Sequence, residues 1–319
     1  MKVLVTGASG FVGRIVIPEL SRVGIEVHAT SRHGTKPEKA ATFVATDLDD
    51  SQLGALLEGT DAVVHLAARA HAIGEHDNDL TSLYSEANAK LTERLAIAAI
   101  KSEVSHFVFC SSVKAVGEIT RTDAFTEATP PCPYDAYGKS KLEAERALEY
   151  LSEASGMAVT VLRPPLMYGP GVKGNLYRVM HALHKGMPLP LSGISNRRSM
   201  LGARNFGSAI ATVLATPGQG YSVYFLSDGA PISTPELLRS IAIAMHKPAR
   251  LFSVPHGLLR FAAVALRKAA EFERLTGSLV IDDRAFRQKF GWVPPYSQEA
   301  GLREMVDSFL ARDDQRRPR

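Results

Sequence analysis

The stretch V-L-V-T-G-A-S-G-F-V-G, residues 3–13, decides the fold of this chain. An apolar run is followed by Gly7, Gly10 and Gly13 and then by helical spacing, which predicts a buried strand, a tight turn and a helix. Gly7 allows the sharp turn, Gly10 allows backbone N–H groups to approach an anion, and Gly13 allows the helix to pack on the strand. The stretch therefore predicts a dinucleotide site. Because its spacing is GxxGxxG and not GxGxxG, a glycine-rich turn of another α/β protein is the alternative.

The second predicted strand, residues 25–30, ends at residues that discriminate between nicotinamide cofactors. A carboxylate at this position accepts a hydrogen bond from the ribose 2′-OH of NAD, whereas an arginine and a hydroxyl suit the 2′-phosphate of NADP. Ser31 and Arg32 stand here and, with help from Arg14, favour NADP(H). Alternatively, Arg32 is a solvated loop cation and the site also accepts NAD(H).

Further strands are predicted at residues 42–45, 62–66 and 105–110, with a long helix at residues 82–101 that carries Asn88. Asp47 follows the first of these strands, where it meets the adenine amino group or caps the next helix. Ala67 and Ala68 follow the second, and their small side chains let a cofactor lie against the backbone. His65, in this strand, is a core residue; a metal site with His71 and His76 is disfavoured because no Cys, Asp or Glu completes a ligand spacing.

Strands and helices alternate as far as residue 163, which predicts an α/β doubly wound parallel sheet over residues 1–165. Residues 166–319 then form a smaller substrate-binding unit, although a segment near residues 204–226 could return to the first sheet. The later predicted helices span residues 204–215, 234–246, 255–275, 283–290 and 297–310.

Composition narrows the functional classes. The formal charge is +4 and the pI near 9.0, with basic residues spread out except in the tail 312–319, so a nucleic-acid partner is not expected, whereas anionic small molecules are. The two cysteines form no disulfide pattern, which favours a reducing, cytoplasmic location. No apolar run is long enough to span a membrane. Residues 258–272 form an amphipathic segment, for which peripheral membrane contact stays open.

The candidate catalytic residues are Ser112, Tyr137 and Lys141. Tyr137 and Lys141 are four residues apart, so on a helix they face the same way, and the lysine charge is expected to lower the pKa of the phenol. Tyr137 is then the proton donor and acceptor for a hydroxyl or ketone. Ser112, at the end of the fifth strand, is expected to hydrogen-bond the same oxygen.

These motifs make the chain resemble the extended short-chain dehydrogenases/reductases of the NAD-dependent epimerase/dehydratase family. The resemblance rests on T-G-A-S-G-F-V-G, D-L at residues 47–48, H-L-A-A at 65–68, C-S-S at 110–112, Y-G-K-S-K at 137–141 and R-P-P-L-M-Y-G-P-G at 163–171. It implies a Rossmann-type sheet with a smaller C-terminal substrate-binding α/β domain. The cofactor-binding residues that it implies, together with those above, are Gly7, Ser9, Gly10, Phe11, Val12, Gly13, Ser31, Arg32, Asp47, Leu48, Leu66, Ala67, Ala68, Tyr137, Lys141 and Pro164.

Within this family, four segments are similar to nucleotide-sugar 4-ketoreductases: residues 171–175, 188–191, 196–199 and 275–280. This similarity implies reduction of a UDP-4-keto-6-deoxy-N-acetylhexosamine for surface polysaccharide or O-antigen. Substrate is then held by Ser112, Tyr137, Asn175 and Arg198, with the last two at the diphosphate or uridine. The runner-up is a UDP-hexose 4-epimerase with bound NAD, and a non-catalytic cofactor-binding regulator is the alternative from another class. A homodimer through residues 82–101 and 137–151 is also implied.

Two departures from the family pattern bear on the chemistry. The 4,6-dehydratases have an Asp-Glu pair directly after the Ser112 position, where this chain has Val113 and Lys114, so dehydration is disfavoured. Many relatives have an aspartate where this chain has Asn205, which weakens the residue assignments of that region.

The cofactor preference yields the first prediction. Replacing Arg32 with Ala or Asp should raise the KM for NADPH more than the KM for NADH, because the guanidinium contact with the 2′-phosphate is lost. Steady-state kinetics with both cofactors measure the difference. Equal changes in the two constants would show that Arg32 does not recognise the phosphate.

Overall fold

A parallel sheet of seven strands forms the centre of the protein. The computed structural model describes residues 1–69, 77–266 and 269–316. The strand order in the sheet is β3-β2-β1-β4-β5-β6-β9, and a separate two-stranded sheet pairs β7 with β8. The strands are β1 (Lys2–Thr6), β2 (Glu26–Ser31), β3 (Thr42–Ala45), β4 (Ala62–His65), β5 (His106–Cys110), β6 (Ala158–Arg163), β7 (Leu166–Tyr168), β8 (Met200–Gly202) and β9 (Tyr221–Phe225).

Helices cover both faces of the large sheet. Those at the start and in the middle of the chain are α1 (Gly13–Arg22), α2 (Asp50–Leu57), α3 (Asp77–Tyr84), α4 (Leu91–Lys101), α5 (Ala136–Ser155), α6 (Asn175–His184) and α7 (Ala203–Ala215). The later ones are α8 (Thr234–Ala244), α9 (His256–Ala265), α10 (Ala269–Thr276), α11 (Arg284–Phe290) and α12 (Gln298–Arg316). Together with the parallel sheet, they confirm the predicted Rossmann-type α/β fold.

The order of the strands places the predicted cofactor site. The chain adds strands outward from β1 to β3 on one side and from β4 onward on the other, and Val3 lies beside Val27 of β2 and Ala62 of β4. The direction of winding therefore reverses between β1 and β4. A crevice opens at the carboxyl end of a parallel sheet where this reversal occurs. The glycine turn follows β1 directly into it.

Two apolar layers hold the helices on the sheet. On one face, α1 and α7 pack together and against the strands through Val16, Ile17 and Phe206. On the other face, α2, α4 and α5 bury residues such as Leu95 and Leu148. Strands buried on both faces have continuous apolar runs without alternation, as β1 and β4 do.

The later part of the chain builds a third core outside the large sheet. It lies between α6, α8 and α12 and includes Met180, Ile241 and Met305. The segment from α7 to β9 lies with the large sheet, because β9 pairs with β6 and α7 packs on α1. The domain boundary after residue 165 stays a prediction.

Several predicted elements differ from those observed. The helix expected at residues 82–101 begins earlier, at α3, and contains a π-helical segment, Ser85–Lys90, before α4. The helix expected at residues 255–275 is two helices, α9 and α10, because apolar periodicity runs through both and hides the break. The helix α6 was not predicted. Residues 317–319 of the basic tail lie outside the described residues.

None of the helices in the described part of the chain combines the length and the apolar character needed to span a bilayer.

The packing of α1 on α7 yields a stability prediction. A Cβ at Gly207 would lie 2.9 Å from the Cβ of Glu19 and 3.3 Å from the Cα of Val16. Gly207→Ala should therefore force the helices apart and lower the free energy of unfolding by about 1–3 kcal/mol, measured by denaturant unfolding. The matched control is Gly54→Ala in α2, where a Cβ meets nothing within 4 Å, so it should raise stability by about 0.5–1 kcal/mol. Equal effects of the two variants would contradict the tight contact.

Candidate active site

The glycine turn is packed so closely that side chains are excluded at two of its positions. Gly7 has φ +70°, and a Cβ there would lie 2.6 Å from the backbone N of Ala67, after β4. A Cβ at Gly13 would lie 2.5 Å from the carbonyl oxygen of Gly7. Gly10 is exposed, and a Cβ there would meet only its own turn. The turn thus presents bare backbone at Gly10 to the crevice.

The first turn of α1 offers a site for an anion. It contains no acidic residue, and Val12 precedes the helix without a side-chain cap. Within the described residues, the backbone N–H groups of Phe11 and Val12 donate no hydrogen bond. Free N–H groups at the positive end of a helix bind phosphate groups. The residues of this turn, Ser9 included, therefore fit a dinucleotide pyrophosphate.

Ser31 and Arg32, at the end of β2, were both expected to bind a 2′-phosphate, but the structure gives them different roles. The hydroxyl of the buried Ser31 donates to the carbonyl of His33 at 2.8 Å, so its hydrogen holds the loop and not a ligand. Arg32 is exposed. The guanidinium of Arg32 is thus the group at this strand end that can reach a phosphate.

The ends of β3 and β4 form the adjacent wall. Asp47 is exposed, and the helix cap predicted for it is wrong, because α2 begins at Asp50 and Asp49 occupies the cap position. Leu48 is buried with φ +61°. Leu66 and Ala67 are half-buried and Ala68 is exposed, which leaves room for a planar ring above the backbone.

His65 is a neutral core residue. Its Nδ1 lies 2.6 Å from the Thr6 hydroxyl and its Nε2 lies 3.0 Å from the Thr92 hydroxyl. Burial lowers the pKa of His65 to about 3, so both nitrogens serve hydrogen bonds within the core. His71 and His76 lie outside the described residues, within which no His, Cys, Asp and Glu group suited to a metal ion occurs.

Ser112 and Tyr137 meet between β5 and α5. Ser112 follows β5, and its hydroxyl accepts the Lys114 N–H at 3.2 Å, which starts a short 3₁₀ turn. Asp135 caps α5 by accepting the Gly138 N–H at 2.8 Å, which places Tyr137 in the first helical turn. The Ser112 hydroxyl lies close enough to the Tyr137 phenol to favour its ionised form, which lowers the pKa of Tyr137.

Lys141 lies one turn further along α5 and is 2 % exposed. Its Nζ donates to the Cys110 carbonyl at 2.8 Å and lies 5.9 Å from the centre of the Tyr137 ring. Burial lowers the pKa of Lys141 to about 8. An ammonium group has three N–H donors, so the protein leaves two of them for a ligand.

Burial, and not the lysine, dominates the acidity of Tyr137. The largest effect on this phenol is desolvation, which raises the pKa of Tyr137 well above its ordinary value, while the nearby Ser112 hydroxyl has the smaller, opposite effect of lowering it. The expectation of a lowered pKa for Tyr137 is therefore wrong for the protein alone. At neutral pH the phenol carries its proton and is a donor.

A buried ion pair between Glu145 and Arg163 holds the catalytic helix α5 against the sheet. Glu145, one turn after Lys141, accepts two hydrogen bonds from Arg163, at 3.0 and 2.6 Å, and a further one from the Ser111 hydroxyl. This pair fastens α5 to the end of β6, which is followed by the buried Pro164. Sequence reasoning missed these residues; the i, i+4 spacing of Lys141 and Glu145 was the signal for their shared face.

Gly138, inside the Y-G-K-S-K motif, is a second residue whose role sequence reasoning missed. A Cβ there would lie 2.4 Å from the carbonyl oxygen of Lys114, so only glycine lets α5 approach the turn that carries Ser112.

Asn88, in the π-helical segment, donates to the Ser140 hydroxyl at 2.9 Å and to the Arg69 carbonyl. π-Helical turns are frequent at functional sites.

Asn175 and Arg198, the residues predicted at the diphosphate or uridine of the substrate, lie in different surroundings. Asn175 is exposed at the first position of α6. Arg198 is half-buried, and one of its nitrogens donates to the carbonyls of Arg274 and Gly277 at 2.8 and 2.9 Å. Burial lowers the pKa of Arg198. The structure therefore positions the guanidinium of Arg198, whereas Asn175 lies exposed at the start of α6.

Arg198 is connected to the start of α5 through Arg274. It donates to the backbone carbonyl of Arg274, and the side chain of Arg274 begins a series of ion pairs. The side chain of Arg274 pairs with Glu118 at 3.1 Å, and Glu118 pairs with Lys114 at 2.6 Å. Lys114 in turn pairs with Asp135, the cap of α5, at 2.6 Å. The lysine that stands in place of a dehydratase acid thus belongs to this network, which joins α10 to the catalytic helix.

Asn205 has a structural explanation. Its amide donates to Asp228 at 2.7 Å, and the same carboxylate accepts from the Tyr168 hydroxyl at 2.5 Å. A second acid at position 205 would face Asp228, whose pKa burial already raises. The amide avoids this repulsion.

Comparisons with known proteins identify relatives of this chain. The family model described as "NAD dependent epimerase/dehydratase family" matches residues 3–225. A Vibrio cholerae protein named UDP-glucose 4-epimerase is 36% identical over 312 residues, which are 97% of this chain and 95% of that protein.

Two solved structures share the fold. The UDP-N-acetylglucosamine 4-epimerase of Bacillus cereus superposes with a TM-score of 0.79 at 21% identity, over 98% of this chain and 99% of that one. The Thermus thermophilus UDP-glucose 4-epimerase, solved with NAD, gives a TM-score of 0.78 at 24% identity, over 97% and 99% of the two chains. At these identities the likeness concerns the fold alone.

The burial of Lys141 yields a pH-dependent stability prediction. Its pKa is about 8 in the fold against an ordinary value of 10.5, so the charged lysine costs about 3 kcal/mol of stability below pH 8. Lys141→Met should therefore raise the melting temperature at pH 7 while abolishing turnover. Between pH 8 and 10.5 the folded protein binds fewer protons than the unfolded chain, so stability rises with pH and the gap between variant and wild type should close. A constant gap in melting temperature over this range would contradict the lowered pKa.

Proposed function

Because this chain belongs to the NAD dependent epimerase/dehydratase family, we propose that it transfers a hydride at C4 of a UDP-linked sugar. The observation that carries the proposal is the meeting of Ser112, Tyr137 and Lys141 at the carboxyl end of β5, in the same crevice as the glycine turn. Proton transfer at a sugar oxygen needs a donor beside the site of hydride transfer. We propose that the residues predicted from the sequence bind the cofactor, with Arg32 at the 2′-phosphate and Ser31 holding the loop around Arg32 through its bond to His33.

The residues divide the work of the reaction. The bound nicotinamide supplies the hydride for the sugar carbon. Tyr137, protonated in its buried site, gives its phenol proton to the C4 oxygen, and Ser112 hydrogen-bonds the same oxygen so that it faces the phenol. Lys141 holds cofactor hydroxyls with the N–H groups that Cys110 leaves free. The phenol then recovers a proton from solvent.

We infer that the reaction runs as a reduction, with a UDP-4-keto-6-deoxy-N-acetylhexosamine as substrate. At neutral pH the Tyr137 phenol carries its proton, which is the form that a reduction needs in order to protonate a ketone oxygen. Arg32 at the end of β2, where no carboxylate stands, supports the use of NADPH. Lys114 and its ion pairs with Glu118 and Asp135 argue against dehydration, which needs acids at that position.

The second candidate is a UDP-hexose 4-epimerase that keeps NAD bound. The relative from Vibrio cholerae carries this activity in its name, and the identity of 36% favours it. An epimerase uses the same three side chains and returns the hydride to the other face of the ketone. A regulator without catalysis is disfavoured because Ser112, Tyr137 and Lys141 are all assembled.

One assay separates the candidates. Purified protein is mixed with UDP-4-keto-6-deoxy-N-acetylglucosamine, and the absorbance of NADPH or NADH is followed. A reductase oxidises the reduced cofactor in proportion to the sugar, and faster with NADPH. Unchanged absorbance, with interconversion of UDP-hexoses and NAD released on denaturation, would instead establish the epimerase.

A homodimer through α4 and α5 is a further part of the proposal. Ile97 on α4 and Tyr150 on α5 are large apolar or aromatic residues exposed on this helix pair. Packing against a second copy would remove them from water. Light scattering after gel filtration measures the mass.

The role of Tyr137 yields a kinetic prediction. Tyr137→Phe removes the phenol proton but keeps the ring, so NADPH should bind with unchanged affinity while turnover falls by roughly 10²–10⁴-fold. The control is Tyr134→Phe, three residues earlier, where the side chain is 78% exposed and turnover should not change. Turnover of Tyr137→Phe near the wild-type value would refute the assignment.

A further inference from the structure

One face of α9 exposes apolar side chains to solvent. Leu258 is 61%, Phe261 74% and Val264 57% exposed. At 100° per residue these three side chains and Ala265 project from the same side of the helix. Single exposed apolar residues are common on protein surfaces, but a contiguous row on one helix indicates a site of contact.

The opposite face of α9 fixes the helix to the protein. Ala263 is buried, and Leu259 packs against the core between α6, α8 and α12. Four residues apart, they share the inner side of the helix. The outward direction of Phe261 is therefore set by packing.

A neighbouring segment extends the apolar surface. The backbone N–H of Phe252, just before α9, donates to the Leu189 carbonyl at 3.1 Å. Phe252 is exposed, and so is Met187, two residues before Leu189. The segments that carry Met187 and Phe252 are therefore hydrogen-bonded neighbours, and Phe252 lies just before the start of α9. The surface formed by Met187, Phe252, Leu258, Phe261 and Val264 is called the α9 surface below.

The charges around the α9 surface are mostly of one sign. Residues 237–270 contain no Asp or Glu. Lys185, Arg250 and Arg260 are exposed next to or within the α9 surface, and Glu273 is exposed on the adjacent α10. The net charge of these exposed side chains is therefore positive. An apolar row flanked by cations complements a surface that is apolar inside and anionic outside.

From this arrangement we propose that the α9 surface binds the face of a lipid bilayer that contains anionic headgroups. Phe261 and its neighbours enter the boundary between headgroups and acyl chains, and Arg260 at the edge of the row reaches the phosphates. The helix lies in the plane of the membrane and does not cross it. A second copy of the chain is a poorer occupant, because it would bring to this surface the same excess of positive charge and no matching excess of acids.

The test is co-sedimentation of the whole protein with vesicles. Vesicles of equal parts phosphatidylethanolamine and phosphatidylglycerol should carry the protein into the pellet, and vesicles of phosphatidylcholine alone should carry much less. Phe261→Asp should lower the partition coefficient by about tenfold or more, because an apolar anchor is replaced by an anion. Arg260→Gln should lower it less, and raising the salt concentration should weaken binding of the wild type.

The matched control is Val293→Asp, at a side chain that is 72% exposed in the loop after α11. Its sedimentation should equal that of the wild type, and the melting temperatures of all variants should agree, which separates lost binding from lost folding. Wild-type protein that stays in the supernatant with anionic vesicles would overturn the proposal. So would wild-type sedimentation of Phe261→Asp, or a dimer that depends on Phe261 in the absence of vesicle binding.

Discussion

The close approach of the chain to itself at Gly7 is the constraint on which the rest of the structure depends. Here the end of β1 passes so near the segment after β4 that a Cβ would lie 2.6 Å from the backbone N of Ala67. The Thr6 hydroxyl bridges this contact by accepting the Ala67 N–H at 3.2 Å and meeting His65. Because β1 and β4 mark the reversal of strand order, this contact also aims the free end of α1 into the crevice. A side chain at Gly7 would spread the crevice open.

Burial of charge then sets the chemistry on a rigid frame. Lys141 is taken out of water by α5 and held by the Cys110 carbonyl, which lowers its pKa to about 8. Glu145, on the same face of α5, is neutralised by Arg163 at the end of β6. Both groups fasten the catalytic helix to neighbouring strands, so Tyr137 is positioned by regular structure and not by a mobile loop. The cost of these buried charges is met elsewhere, by the apolar layers on the two faces of the sheet.

Local pattern was enough for much of the fold and for the catalytic group. The strands β1, β4 and β5 have continuous apolar runs, and the Tyr137–Lys141 spacing places both residues on one face whatever surrounds the helix. The break between α9 and α10, the π-helical segment at Asn88 and the Asp49 cap were not predictable in this way. The π-helical segment, for example, places Asn88 in contact with Arg69 and Ser140, which are distant in the sequence. The same holds for Gly138, whose necessity comes from the Lys114 carbonyl.

The sequence by itself determined the glycine turn, the alternation of strands and helices as far as residue 163, the alignment of Tyr137 with Lys141 and the acid-free run around α9. These features are set by residue type and by spacing over a few positions. Only the tertiary structure decided that Tyr137 stays protonated, that the Ser31 hydroxyl donates to the His33 carbonyl and that Phe261 faces solvent. Each of these outcomes depends on which groups lose water when remote segments pack together. The free energy of a charge or an apolar ring changes with that burial, and burial is a property of the folded chain as a whole.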